Sequence, residues 1–456
     1  MFRLRVAIRK SPRAYAWAVW VGCGCLMAAA ADRPMLKLSL QRAVEIATSP
    51  EGSNRLQIAT ELTEQAKARS NQARAALLPS LDAAVTEQNE NQNLGAFGIN
   101  LNSIPIPGGF RFPSIVGPYN LFDARISASQ QVFDFSSIRR FQASRIATHA
   151  AQSDRDNAAE EVGAQVAKAY LAALRAEADV RTAQANVDLA QALLKQAESL
   201  KSAGTGTGIE VTRQRVQLAN ENQRLLVAKN DQRRARLQLL KAMNLRLDTE
   251  IELTDRLTLQ PVDAAELEEA KAIALKMRPD YKAQLERQDN ARLSSSAVKM
   301  ERLPSVSTFA NYGTIGSGIT SAFPTRTYGV TLRVPIFDGG KREGRRVEAE
   351  SQLRQERIRA SDLKDQIDLD VQLAVDALQS AAEEVKVASE GLTLAENEVA
   401  QARRRVDAGV AISLEVTDAQ TRLSRARDNQ TMALFHHAQA RIDLGQATGT
   451  LRRFLQ

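Results

Sequence analysis

Glu415 and Asp418 are the two side chains whose types and spacing most suggest joint chemistry. Three residues apart, they share one face if the segment is helical. Two carboxylates on one face attract cations and offer no nucleophile, so the chemistry is electrostatic. An ordinary solvated helix face carries the same pattern, and spacing alone does not separate the two readings.

No other grouping competes with this pair. His149, His436 and His437 sit in helical stretches without metal-ligand spacing around them. The run from Gly204 to Gly208, "GTGTG", lacks the Lys-Ser/Thr of a phosphate loop and does not follow a strand. It reads as a tight turn that needs the positive φ glycine tolerates. A catalytic constellation is missing, and the sequence gives no grounds to expect an enzyme, a metal site or a cofactor.

The elements that hold the acidic pair are written twice. Val180, Val187 and Leu194 fall seven apart, with Ala183, Ala190 and Ala197 three residues behind each. At a constant offset of 205 residues, Val385, Leu392 and Val399 repeat the step, with Ala388, Ala395 and Ala402 in the alanine slots. Gly204 maps onto Gly409 and Glu210 onto Glu415, while Arg213 stands where the second copy has Asp418. Apolar residues at the a and d positions of a heptad are the mark of a coiled coil. Two helical hairpins are expected, over about 136–246 and 341–448, with hinges at Gly204 and Gly409. The first repeat spans 32–260 and the second 261–456.

Each hairpin is preceded by segments of a different period. After a helix over about 38–78, interrupted at Ser49-Pro50, Leu81, Ala83 and Val85 alternate with polar residues. Ile126, Ala128 and Val132 later do the same against Ser127, Ser129 and Gln131. In the second copy Tyr328, Val330, Leu332, Val334 and Ile336 face one way, and Thr327, Gly329, Thr331 and Arg333 the other. Period two with one apolar face is a strand. Four are expected, at about 80–90, 122–133, 304–313 and 326–337. A Gly- and Pro-rich loop from Gly95 to Pro118 separates the first two. Asp338-Gly339-Gly340 supplies a turn and cap before the second hairpin; the first has Asp134 followed by Phe135-Ser136-Ser137, where a serine is expected to cap.

Apolar-out, polar-in alternation is the code of a water-lined barrel in lipid. Four strands cannot close one, since an interior needs about eight. Open edges in lipid would leave backbone groups unpaired, so the chain must oligomerise. A homotrimer supplies twelve strands. The fold class is therefore mainly α with a small β part: long hairpins in two repeats, plus four strands contributed to a shared barrel.

Residues 1–31 read as an export signal, with Arg3, Arg5, Arg9, Lys10 and Arg13 before an uncharged run from Ala14 to Ala31. Cleavage near Ala31 competes with lipidation at Cys23, which follows a near-lipobox, and with an uncleaved anchor. Both cysteines, Cys23 and Cys25, lie in this segment, so a chain cut beyond them has no disulfide framework. Setting aside the five leader cations lowers the net charge from +8 to +3. The remaining charges alternate along helices, and no basic stripe argues for nucleic acid.

These residues resemble the TolC-like outer-membrane efflux proteins, the outer membrane factors. The likeness rests on paired "LLPSL" and "RLPSV" strand starts, on "QQVFD" and "LRVPIFDGG", on "MRPDYKAQ" at Met277, and on the hinge segments "SAGTGTGIEVTRQ" and "DAGVAISLEVTDAQ". It covers nearly the whole chain after the leader. The resemblance implies a trimeric channel-tunnel in the bacterial outer membrane, with a twelve-stranded barrel in lipid and a helical tunnel in the periplasm. It also implies a periplasmic adaptor and an inner-membrane pump or exporter as partners. By the same resemblance Glu415 and Asp418 line a closed periplasmic entrance, with Glu210 and Arg213 beside it and Arg213 available as a latch. No C-terminal extension of the kind some relatives carry follows "GTLRRFLQ", which weakens the expectation of an equatorial belt of extra helices.

The function expected is a passive exit duct for a tripartite efflux or type I secretion system. A structural periplasmic or surface coiled-coil protein is the alternative; it explains the hairpins but not four alternating strands at matching positions.

Overall fold

A computed structural model of the chain describes residues 35–97, 115–260, 267–411 and 413–455. The leader readings, Cys23 included, fall outside these residues, as does most of the Gly- and Pro-rich loop.

Four antiparallel strands form one sheet in the order β2-β3-β5-β6: β2 Ser80–Asn93, β3 Ile115–Phe133, β5 Ser305–Gly316 and β6 Phe323–Arg333. Register decides which side chains share a face. Ala83 stands opposite Ile126, Ile126 opposite Tyr312, and Ala310 opposite Tyr328. Leu81, Val85, Val330 and Leu332 fall on that same face by the two-residue period. Leu81 is 73% exposed and Tyr328 79% exposed. The opposite face carries Asp82, Arg125, Ser127, Asn311 and Thr327. A mainly apolar face exposed to the surroundings, interrupted at Gln130, Thr308 and Arg326 and backed by a polar one, is what a barrel wall in lipid requires.

Two strand boundaries differ most from the sequence reading. β3 starts at Ile115, not near 122, and takes in Pro118. The ladder shifts register between Glu90 and Gln92, opposite that proline. A residue with no N–H to donate is accommodated at such a bulge. β6 ends at Arg333, so Val334 and Ile336 lie beyond the strand, ahead of and behind Pro335. Phe309 sits on the polar face, over Gly329, where a Cβ would stand 2.8 Å from its ring.

Each strand leads into or out of a long helix. The helices are α2 Asn54–Ala75, α3 Phe135–Ser202, α4 Gly208–Ala242, α6 Pro279–Met300, α7 Lys341–Asp407 and α8 Ser413–Ala447. At about 1.5 Å per residue, the 68 residues of α3 reach about 100 Å. Nearer the sheet the packing order is α2-α3-α6-α7; toward the hinges it is α4-α3-α8-α7. α3 and α7 thus run the whole length, with α6 and α8 in line between them.

The heptad seams are where the helices meet. Ala183, Val187 and Ala190 are buried on α3, and Val385, Ala395, Val399 and Ala402 on α7. Alanine at these positions lets helix axes approach closely, so burial is continuous although each contact is small.

A short parallel pair, β1 Leu36–Leu38 with β4 Ile251–Leu253, was not legible as strand; the sequence reading begins a helix at about 38. That helix is two, α1 Leu40–Thr48 and α2, separated around Pro50. α1 packs on α3 and α5 Leu267–Met277 on α7 near the middle of the long helices, so extra equatorial elements are present despite the weakened expectation. Tyr170, fully buried on α3, places its hydroxyl 2.8 Å from the carbonyl of Leu38. On the opposite side Arg278 precedes Pro279 at the start of α6, reaching Asp280, Asp370 of α7 and the carbonyl of Ala447. The "MRPDYKAQ" segment is therefore a clamp between α6, α7 and the end of α8.

At the head of α3 the cap is Asp134, whose carboxylate accepts the Ser136 N–H at 3.0 Å, and not a serine. An acid beside the helix N-terminus also meets the positive end of the dipole. Asp338 does the same for Arg342 before α7.

Candidate functional site

The hinges carry the geometry of the distal end. Gly204 has φ +77° and Gly409 φ +73°, and no atom lies within 4 Å of where their Cβ would be. Left-handed backbone is what an L side chain resists, so these positions are held by conformation and not by crowding. Both turns close the same way: Thr205 N–H donates to Leu200 O, and Val410 N–H to Arg405 O.

The acids just past each hinge are placed differently. Glu210 closes a capping box with Thr207, its carboxylate accepting the Thr207 N–H at 3.2 Å. Glu415 instead forms an ion pair with Arg405 of α7 at 3.4 Å. At the repeat offset Arg405 corresponds to Leu200, so the first copy has no guanidinium at that place. Asp418 is exposed one turn on, and Arg422, a turn further, is held by Glu398 at 2.7 Å. Arg213 is exposed on α4.

Sequence reasoning missed the groups that join the two hairpins. Gln214 of α4, which is buried, donates through Nε2 to Thr417 Oγ1 of α8 at 3.2 Å. Higher up, Asn186 of α3 donates to Ser424 Oγ of α8 at 2.9 Å. Leu193 of α3 packs against the second seam formed by Ala402, Val416 and Ala419. A cavity of about 470 Å³ lies between the hairpins, walled by Leu193, Leu200, Gln214, Arg403, Val406 and Thr417. A signal was available: the offset pairs Gln214 with Ala419 and Asn186 with Gly391, polar residues where the second copy is small.

Among the described residues no helix is long and apolar enough to cross a membrane, which says nothing of a barrel. No group of three or more potential metal ligands occurs among them either.

The sequence pattern of the outer membrane efflux proteins matches residues 51–245 and 272–450, one segment for each repeat. The chain belongs to that family. It is 25% identical over 421 residues to the pyoverdine export outer membrane protein OpmQ of Pseudomonas putida, covering 90% of this chain and 85% of that one. The alkaline protease secretion protein AprF of Pseudomonas aeruginosa is 22% identical over 339 residues, covering 73% and 70%. The same fold is seen in the Campylobacter jejuni CmeC outer membrane channel, with TM-score 0.77, 17% identity and coverage of 90% and 86%. VceC of Vibrio cholerae gives TM-score 0.76, 18% identity and coverage of 90% and 96%.

This efflux protein is thus an outer-membrane channel-tunnel of the efflux and secretion class, its helices forming the periplasmic part. That is a transport role, and the resemblance read from the paired strand starts and hinges is the family it belongs to.

Proposed function

We propose that three copies of this efflux protein close into one duct, and that solutes leave through it passively after delivery by an inner-membrane pump or exporter joined by a periplasmic adaptor. The observation that carries the reading is that one chain is open on both flanks. β2 and β6 each have a strand on one side only. The helix row ends in α4 and α7, which expose Val216, Leu226 and Val227 on one side and Val387 and Leu394 on the other. Two different flanks that complement each other give a head-to-tail ring. Three copies bring twelve strands, enough for a water-filled lumen bounded by lipid.

In that ring Glu415 and Asp418 supply six carboxylates around the distal mouth. A ring of acids selects cations and forms an electrostatic barrier to anions. Movement of the second hairpin about Gly409 would widen the mouth, with Arg213 as a latch to a neighbouring hairpin. Cargo would be chosen by the pump. OpmQ is named for pyoverdine export and AprF for protease secretion, so small-molecule and protein cargo both fit this architecture.

The test is single-channel conductance of the detergent-extracted oligomer in a planar bilayer, wild type against the Glu415→Ala, Asp418→Ala double variant. A small cation-preferring current whose selectivity collapses in the variant supports duct and gate together. Unchanged selectivity moves the gate elsewhere. Arg213→Ala with unchanged conductance removes the latch.

A further inference from the structure

The middle of the molecule holds a cavity that the duct does not use. It has a volume of about 420 Å³ and lies between the β1–α1 turn, α3, the segment after β4 and α8. That volume is in the range of small-molecule sites. Leu171, Leu174, Leu257 and Leu455 give it an apolar wall. Arg256 and Arg441 give it charge, with Gln260 alongside.

The charges do not balance. Asp255 is the one carboxylate lining the cavity, and it is already engaged. It accepts the Leu40 N–H at 2.7 Å and lies 3.1 Å from the Tyr170 hydroxyl and 3.2 Å from that of Thr254. Arg441 donates to the neutral side chain of Gln260, and among the described residues no carboxylate pairs with it. Its Nε is buried without a partner. Burial lowers its pKa, the mark of a cation without a counter-charge. One turn earlier on α8, the Nδ1 of buried His437 is also unpartnered. A half-buried guanidinium with an unpartnered Nε, answered by an amide and by no carboxylate among the described residues, leaves room for a negative group to pair with it.

We infer that this cavity binds an amphiphilic organic anion: one carboxylate or phosphate head against Arg441 and Arg256, and a short apolar body along the leucine wall. Guanidinium groups are the natural partners of both head types, since their planar donors match two oxygens at once. The site lies near the mid-point of α3, some 50 Å from the sheet by helix rise. Outer-membrane lipid headgroups do not reach it, so the ligand comes from the periplasm. Because α3 belongs to the first repeat and α8 to the second, an occupant braces the two repeats against each other.

The experiment is calorimetric titration of the whole oligomer, in a neutral maltoside detergent, with octanoate, with octanol and with inorganic phosphate. Octanoate should bind saturably, and Arg441→Gln should weaken it at least tenfold. Octanol, a body without the charge, should show only micelle partitioning, and phosphate, a head without a body, should bind at least tenfold more weakly. Arg256→Gln, at the exposed rim, should weaken octanoate severalfold and serves if Arg441→Gln fails to fold. Equal affinity for octanol, equal affinity for phosphate, or undiminished octanoate binding in both variants would overturn the assignment.

Discussion

Gln214 and Thr417 meet at 3.2 Å across the boundary between the two hairpins. They stand at non-equivalent positions of the repeat, Gln214 matching Ala419 and Thr417 matching Thr212. A duplicated unit has thus acquired a polar contact between its copies at the end where the proposed gate sits. The bond is not comfortable: Gln214 Oε1 is buried without a partner.

That imbalance makes a prediction with two arms. Thr417→Val leaves the Gln214 amide unanswered and should cost about 1–2 kcal/mol in the hairpin end. Gln214→Leu removes donor and orphan acceptor together and should be nearly neutral in stability. Both cut the tie between hairpins, so both should raise open probability in single-channel records. If only Thr417→Val gates differently, the effect comes from destabilisation and the contact is not a latch.

The hairpins, strands and family were legible because each is a periodic signal written twice. Val187 and Val399 stand in heptads, and Leu81 and Val330 in a period of two. The misses share a physical cause. Leu36–Leu38 is three residues of strand, too short to establish a period, and exists only through its pairing with Ile251–Leu253. β3 was clipped because Gly117 and Pro118 read as loop, whereas they form a bulge within the strand, two residues facing the single Asn91 of β2. The contacts of Gln214 with Thr417 and of Arg278 with Asp370 lie between elements distant in the chain, where no local pattern records them.

Arg278 illustrates what such a contact carries. Burial pulls its pKa down, yet Asp280 and Asp370 more than restore it, so the guanidinium stays charged in a half-dry site. Gly449, at φ +67°, packs its backbone against Arg278, where a Cβ would lie 3.0 Å from the Arg278 Cα. Arg278→Met should cost roughly 3 kcal/mol, since it strands two partly buried carboxylates. Asp370→Asn alone should cost less, because Asp280 still pairs bidentately. Denaturant unfolding of the two single variants and the double checks this: a double-variant cost equal to the sum would refute coupling between Arg278 and Asp370.

The two hinge glycines give a test free of packing. With open space around both Cβ positions, Gly204→Ala and Gly409→Ala should each cost about 1 kcal/mol, through left-handed backbone alone. Stability should not tell the hinges apart, but conductance should. If the second hairpin is the moving part, Gly409→Ala changes gating kinetics and Gly204→Ala does not. Equal kinetic effects from both would mean that the hairpins move together.

His437 should make the efflux protein less stable as pH falls. Burial lowers its pKa, and the nearby charge of Arg441 lowers it further. The unfolded chain therefore takes up a proton near pH 6.5 that the folded chain refuses until lower pH. More protons bound in the unfolded state means stability rises with pH, so this contribution is present at pH 7.5 and drains away below about 6.5. Melting curves between pH 7.5 and 5.5 should show the loss, and His437→Leu should flatten it. Arg441→Gln should soften the slope in part, because it removes the second cause and leaves the first. A wild-type slope kept intact in His437→Leu would assign the acid sensitivity to other groups.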